Sequence, residues 1–149
     1  MTESLVLLEI ETIPPSSNNQ YVLIRRGGKT LHVASQELKT FQKHVAQYPL
    51  YDPESYALCQ AIMDVWKAEK RELEITCTFY LRHSRVFTKE GNPKRMDCSN
   101  RLKAIHDSVA LLFGIDDCLF FKVHAEKRAI SEAFTEKTVV DIRPAIRDR

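Results

Sequence analysis

The densest grouping of residues that could do chemistry runs Asp97-Cys98-Ser99-Asn100-Arg101-Leu102-Lys103-Ala104-Ile105-His106-Asp107, followed by Gly114-Ile115-Asp116-Asp117. Carboxylates stand at both ends of one amphipathic stretch, with Lys103 between them. Such residues suit hydrolysis of a phosphodiester, which calls for one or two hard cations held by carboxylates to generate hydroxide and stabilise developing charge. A lysine placed as Lys103 is can neutralise the reacting phosphate or the leaving oxygen. A structural reading of the same residues stays open: Asp97 or Ser99 caps a helix, and Asp116-Asp117 forms a solvated turn.

The spacing of Leu102, Ile105, Val109 and Leu112 predicts a helix from Asp97 to Phe113 with one face on the core, ended by Gly114. Asn100, Lys103 and Asp107 fall on another face. A helix of about 17 residues separates its ends by roughly 25 Å. Asp97 and Asp117 therefore meet only if the chain folds back after Gly114, or if a second subunit completes the site.

Residues 5 to 11 read as a strand running into Pro14-Pro15-Ser16-Ser17-Asn18-Asn19, an ordered loop. Tyr21 to Ile24 and Thr30 to Val33 flank Arg25-Arg26-Gly27-Gly28-Lys29, which predicts a hairpin with a basic tip. Ser35 can cap a helix carrying Leu38, Phe41 and Val45, with Pro49 ending it, and Pro53-Glu54 opens a second helix with Tyr56, Cys59, either Ile62 or Met63, and Trp66 on its buried stripe. Strict alternation from Glu72 to Arg82 predicts a half-buried strand. The polar stretch from His83 to Met96, with Gly91-Asn92-Pro93, is expected to be a mobile loop. Cys118 to Val123 and Lys137 to Ile142 read as two further strands. This order predicts an α/β (α+β) fold, a mixed sheet with helices packed on it, in a single domain spanning residues 1–149.

The 149 residues are 44% hydrophobic and 28% charged, a composition able to bury a core without staples. The net charge of +2 announces no polyanionic partner, so any basic surface must come from local concentration. Arg25, Arg26 and Lys29 form one such concentration, and Lys94 and Arg95 beside Asp97 belong to another. Cys59, Cys77, Cys98 and Cys118 form no CxxC pair, which argues against structural zinc and fits reduced thiols. No apolar run approaches the roughly 18 residues that span a bilayer, and a cytoplasmic protein with no membrane partner is expected.

The chain resembles the RusA family of crossover junction endodeoxyribonucleases in three features: the Pro14 to Asn19 loop, the Asp97-x-x-Asn100-x-x-Lys103-x-x-x-Asp107 helix entry, and the Asp116-Asp117 pair. The resemblance implies a RusA-like domain and a homodimer that nicks four-way (Holliday) junctions with Mg2+, Mn2+ being possible. It further implies that Asp97, Lys103 and Asp117 are catalytic, with Asp97 and Asp117 as metal ligands and Asn100 and Asp107 in support. The basic residues Arg25, Arg26, Lys29, Lys94 and Arg95 would then contact DNA phosphates. Where the family carries a second carboxylate this chain has Ser99, a poorer ligand for Mg2+. Either Ser99, water or Asp116 fills that place, or the protein binds junction DNA with weak or no cleavage. A plain α/β interaction protein is the third reading.

Overall fold

The computed structural model describes residues 5–16, 19–95 and 97–146. Ser17, Asn18 and Met96, which belong to the expected loops, lie outside the described residues.

Strand β1 (Val6–Ile10) turns Val6, Leu8 and Ile10 inward and Leu7 and Glu9 outward, the period-two pattern of a strand with one covered face. Prolines 14 and 15 then keep the chain out of regular structure. The hairpin of β2 (Tyr21–Arg26) and β3 (Lys29–Ala34) is a separate two-stranded sheet. Gly27 and Gly28 both take positive φ, 57° and 76°, which a tight two-residue hairpin turn requires. At the hairpin's base, the Gln20 side chain is buried and donates to the Pro15 carbonyl at 3.2 Å, tying the arm to the loop before it.

Ser35 caps α1 (Gln36–Ala46), its hydroxyl accepting from the Leu38 amide at 3.1 Å. Pro49 does not end the helical run. It sits in the first turn of a short α2 (Tyr48–Tyr51), where the missing N–H is harmless. Asp52 caps α3 (Pro53–Ala68), which buries Cys59, Met63 and Trp66.

Strand β4 (Leu73–Arg82) is the hub of a four-stranded sheet in the order β1-β6-β4-β5. It pairs antiparallel with β6 (Lys137–Pro144) and parallel with β5 (Phe120–Ile130). Leu73, Ile75, Cys77, Phe79 and Leu81 are all fully buried on its helix-covered face. A parallel neighbour needs a crossover connection, and α5 (Leu102–Phe113) is the helix that provides it. The architecture is thus α+β, a mixed sheet with helices packed on it, as the order of elements implies.

The segment after β4 departs from the mobile loop expected of it. It forms α4 (His83–Val86), and its backbone is then tied by Thr88 to Asn92 at 2.8 Å and by Lys94 to Val86 at 2.7 Å. Helix α5 also begins later than the expected start at Asp97. Residues 99–101 form a single 3-10 turn, and the α-helix starts at Leu102. The reason is local: the Asp97 carboxylate accepts from both the amide and the hydroxyl of Ser99, at 2.9 and 2.6 Å, and this turn competes with α-helix. Ala104, Ile105, Val109 and Phe113 supply the buried stripe, while Leu102 and Leu112 sit at its margin. Gly114 ends α5 in the left-handed conformation, as expected. Asp117–Leu119 is a 3-10 turn, so β5 starts at Phe120 rather than at Cys118.

Candidate functional site

The parallel pair β4–β5 fixes where each candidate residue falls. Phe120 lies opposite Leu73 at the start of β4, and Lys127 lies opposite Phe79 near its end. The seven steps along the strand from Phe120 to Lys127 extend roughly 23 Å at ~3.3 Å per residue. Asp97 stands at the Lys127 end, where both line one cleft. Asp117 stands at the Phe120 end, one turn before β5. The chain does fold back after Gly114, but α5, about 18 Å long, keeps the two aspartates at its opposite ends.

The carboxylates at the two ends do different local work. Asp97 is fully exposed, and the donors from Ser99, hydroxyl first and amide second, hold its carboxyl below the usual range. Lys127 adds a smaller pull in the same direction. Asp116 caps its 3-10 turn, accepting from the Cys118 amide at 2.9 Å, and this too lowers its pKa. Asp107 pairs with Lys103 one turn away at 3.4 Å, both on the exposed side of α5. Among the described residues no group of three or more His, Cys, Asp or Glu side chains could hold a metal ion. Asp97, Ser99, Asp116 and Asp117 therefore do not form one metal centre within the chain.

What the fold does bring together is a cationic cleft of about 800 Å³, lined by Ser16, Lys94, Arg95, Asp97, Asn100, Arg101 and Lys127. Each side chain has a clear origin. Lys94, in the segment after α4, is held by donating to the Ser84 carbonyl of that helix at 2.6 Å. Asn100 and Arg101 come from the 3-10 turn before α5, and Lys127 from β5.

Arg101 is the least expected member. Its guanidinium donates to the Pro14 carbonyl, and its Nε is buried with no hydrogen-bond partner among the described residues. Burial lowers its pKa, and the nearby Arg85 guanidinium lowers it further. Arg85 itself is balanced by Glu136 at 2.7 Å. Arg101 thus faces the cleft partly stripped of water and beside another cation, a position that an anion would relieve.

Sequence reasoning found Lys94, Arg95, Asp97 and Asn100, and missed Arg101 and Lys127. Arg101 adjoins Asn100, but its burial against Pro14 has no signal in the local pattern. Lys127 enters only through parallel pairing, which links residues far apart in sequence. Arg25, Arg26 and Lys29 stand on the exposed hairpin tip and are not among the cleft's lining residues.

No family model and no curated protein matches the chain. Solved structures that match include a 2C-methyl-D-erythritol 2,4-cyclodiphosphate synthase from Plasmodium vivax, at 8% identity over 97% of each chain with a TM-score of 0.35. An IspF from Plasmodium falciparum in complex with CDP matches at 8% identity over 98% of this chain and 100% of its own, with a TM-score of 0.34. A third synthase structure matches at 11% identity over 94% and 98%, with a TM-score of 0.32. At these values the likeness carries neither substrate nor reaction over to this chain.

The expected membership of the RusA family is corrected on other grounds: no family model matches the chain, and Asp97 and Asp117, which that resemblance would place on one metal, stand at opposite ends of α5. The junction endonuclease, the inactive junction-binding alternative, the branched-DNA partner and the homodimer were implied by that resemblance, and they fall with it. As to membranes, no helix of the described residues is long and apolar enough to cross one. The cationic cleft at the ends of β4 and β5, and not a paired-aspartate centre, is the feature from which function is to be read.

Proposed function

We propose that the cleft binds a phosphate-bearing ligand, with a hard divalent cation such as Mg2+ shared between Asp97 and the ligand. The observation that carries this reading is the convergence of Lys94, Arg95, Arg101 and Lys127 around a single carboxylate, with Arg101 partly withdrawn from water. Arginine's planar fork matches phosphate oxygens two at a time, and its partial desolvation strengthens the charge-assisted bonds. Lysines 94 and 127 add point charges on either side.

The donor set also fits a hard cation. Mg2+ prefers oxygen, keeps several of its waters, and is commonly held by one or two carboxylates plus the phosphates of a ligand. Asp97 supplies a carboxylate held ionised by Ser99, and the Asn100 side-chain oxygen is a further neutral donor at the same wall of the cleft. The cation would offset part of the ligand's charge beside Asp97, and the four basic residues bind and orient the remainder.

Titration calorimetry with inorganic pyrophosphate tests the reading. Saturable binding is expected, weakened by salt because the lining is exposed and ionic, and tightened by Mg2+ in the wild type. Absence of binding at low salt, or binding unchanged in Arg101→Ala, overturns it.

A further inference from the structure

Beyond the C-terminal end of β1 the molecule carries a second concavity of opposite character. A cavity of about 540 Å³ lies between the outer edge of the sheet and α1–α3, and its wall includes Glu9, Glu11, His44, Tyr48, Tyr51 and Asp52. Glu11 also lines a smaller neighbouring concavity with Arg82, Arg85 and Glu136, whereas none of the residues of the cationic cleft reaches this cavity.

Three carboxylates and two phenol rings share this small space. Glu9 is partly offset by Lys137 at 3.2 Å. Glu11 makes no ion pair with a described residue. Asp52 spends one oxygen on the Ser55 amide, at 3.2 Å, as the cap of α3. Tyr51 stacks on His44, with ring centroids 6.0 Å apart and planes inclined by 28°, and its hydroxyl donates to Gln47 at 3.2 Å. These contacts fix the ring. Tyr48 loses protons less readily than usual, because of burial first and then the charge of Asp52. That is the mark of a site already rich in negative charge and partly screened from solvent.

The geometry points to an ammonium-binding site: aromatic faces from Tyr48 and Tyr51 to receive an alkylammonium group, and Glu11 and Asp52 to balance its charge. Aromatic quadrupoles attract a cation at their faces, and carboxylates beside them add an ionic component. A phosphate or carboxylate would be repelled by the same walls. The ammonium could be that of a free polyamine or of a lysine side chain on a peptide, and the chemistry is the same in both. This inference is independent of the cationic cleft.

Amide chemical shifts followed during titration with tetramethylammonium chloride, against sodium chloride at equal ionic strength, test it directly. Saturable shifts confined to residues around Leu7 to Glu11, His44 and Tyr51 are expected. Tyr51→Ala should weaken binding about fivefold and Glu11→Gln about threefold. Urea unfolding midpoints close to that of the wild type serve as the check that both variants are folded. Parallel titrations with butane-1,4-diamine and with an N-acetyl-lysine amide show which source of ammonium binds more tightly. Shifts reproduced by sodium chloride, absence of saturation, or saturation unaltered in both variants would overturn the assignment.

Discussion

At the Asp97 end of α5 one carboxylate stands among Lys94, Arg95, Arg101 and Lys127, whereas at the Gly114 end Asp116 and Asp117 stand together near Cys118 and His106. The two ends hold similar acidic residues and differ in everything around them. The first lies where the parallel strands β4 and β5 finish, and it receives basic side chains from the segment after α4, from the turn before α5 and from β5. The second lies where those strands begin, and its Asp116 is spent on capping a turn. Acidic residues bracketing a helix therefore make two sites or one according to how the chain returns. Here the helix acts as a strut that keeps them apart.

The strut itself offers the largest effect. Ile105 is fully buried, so Ile105→Ala should cost about 2–5 kcal/mol of stability, read from the midpoint of urea unfolding. Loss of less than about 0.5 kcal/mol would mean that α5 does not hold the two ends in place. Next comes Arg101→Ala, expected to remove about 1.5–3 kcal/mol of pyrophosphate binding, the range for hydrogen bonds to a charged group. Arg101→Lys should recover only part of this, since it keeps the charge and loses the fork.

A contrast between the ends gives the third prediction. Asp97→Asn should abolish the tightening of pyrophosphate binding by Mg2+, while Asp117→Asn should leave both binding and its Mg2+ dependence unchanged in the same calorimetric titration. Equal losses in the two variants would break the distinction between the ends.

The smallest effect is expected in pH dependence, at the Gly114 end. The His106 ring packs on Phe120 with centroids 5.5 Å apart, and its Nε2 is buried without a partner among the described residues. Burial lowers its pKa, with Asp107 and Asp117 opposing the shift. The folded state thus binds this proton less readily than the unfolded chain. Stability should be fully present above the unfolded value, near 6.5, and should fall as pH drops through it toward the lower folded value. His106→Gln should flatten that part of the unfolding profile, and an unchanged profile would assign the dependence elsewhere.

Much of the frame was legible in the residues. Alternation marked β4, the Gly27-Gly28 pair marked the hairpin, Ser35 marked the start of α1, and Gly114 marked the end of α5. These signals are local, and local physics decides them. The expected start of α5 at Asp97 is too early: the apolar spacing reaches back only to Leu102, where the helix begins, and the capping residues read at its entry, Asp97 and Ser99, bond to each other instead of opening it. The stretch after His83 looked mobile because its Gly and Pro residues are those of loops, yet its backbone bonds to itself around the Phe87–Pro93 bridge.

The site was legible only in part, for a different reason. Asp97 and Asn100 announced themselves by type, but Lys127 reaches the cleft through a parallel pairing that no short pattern encodes. The same pairing moves Asp117 away. A motif gives the order of its residues along the chain, whereas a site depends on which end of a strand each residue reaches.

Paramagnetic relaxation by Mn2+ in the presence of pyrophosphate tests this separation most directly, because broadening falls off steeply with distance from the ion. Amide signals around Asp97 to Arg101 and at Lys127 are expected to broaden first, with those of Asp116 to Leu119 unaffected at the same Mn2+ concentration. Equal broadening of both groups, or broadening confined to Asp116 to Leu119, would contradict a cation site at the Asp97 end alone.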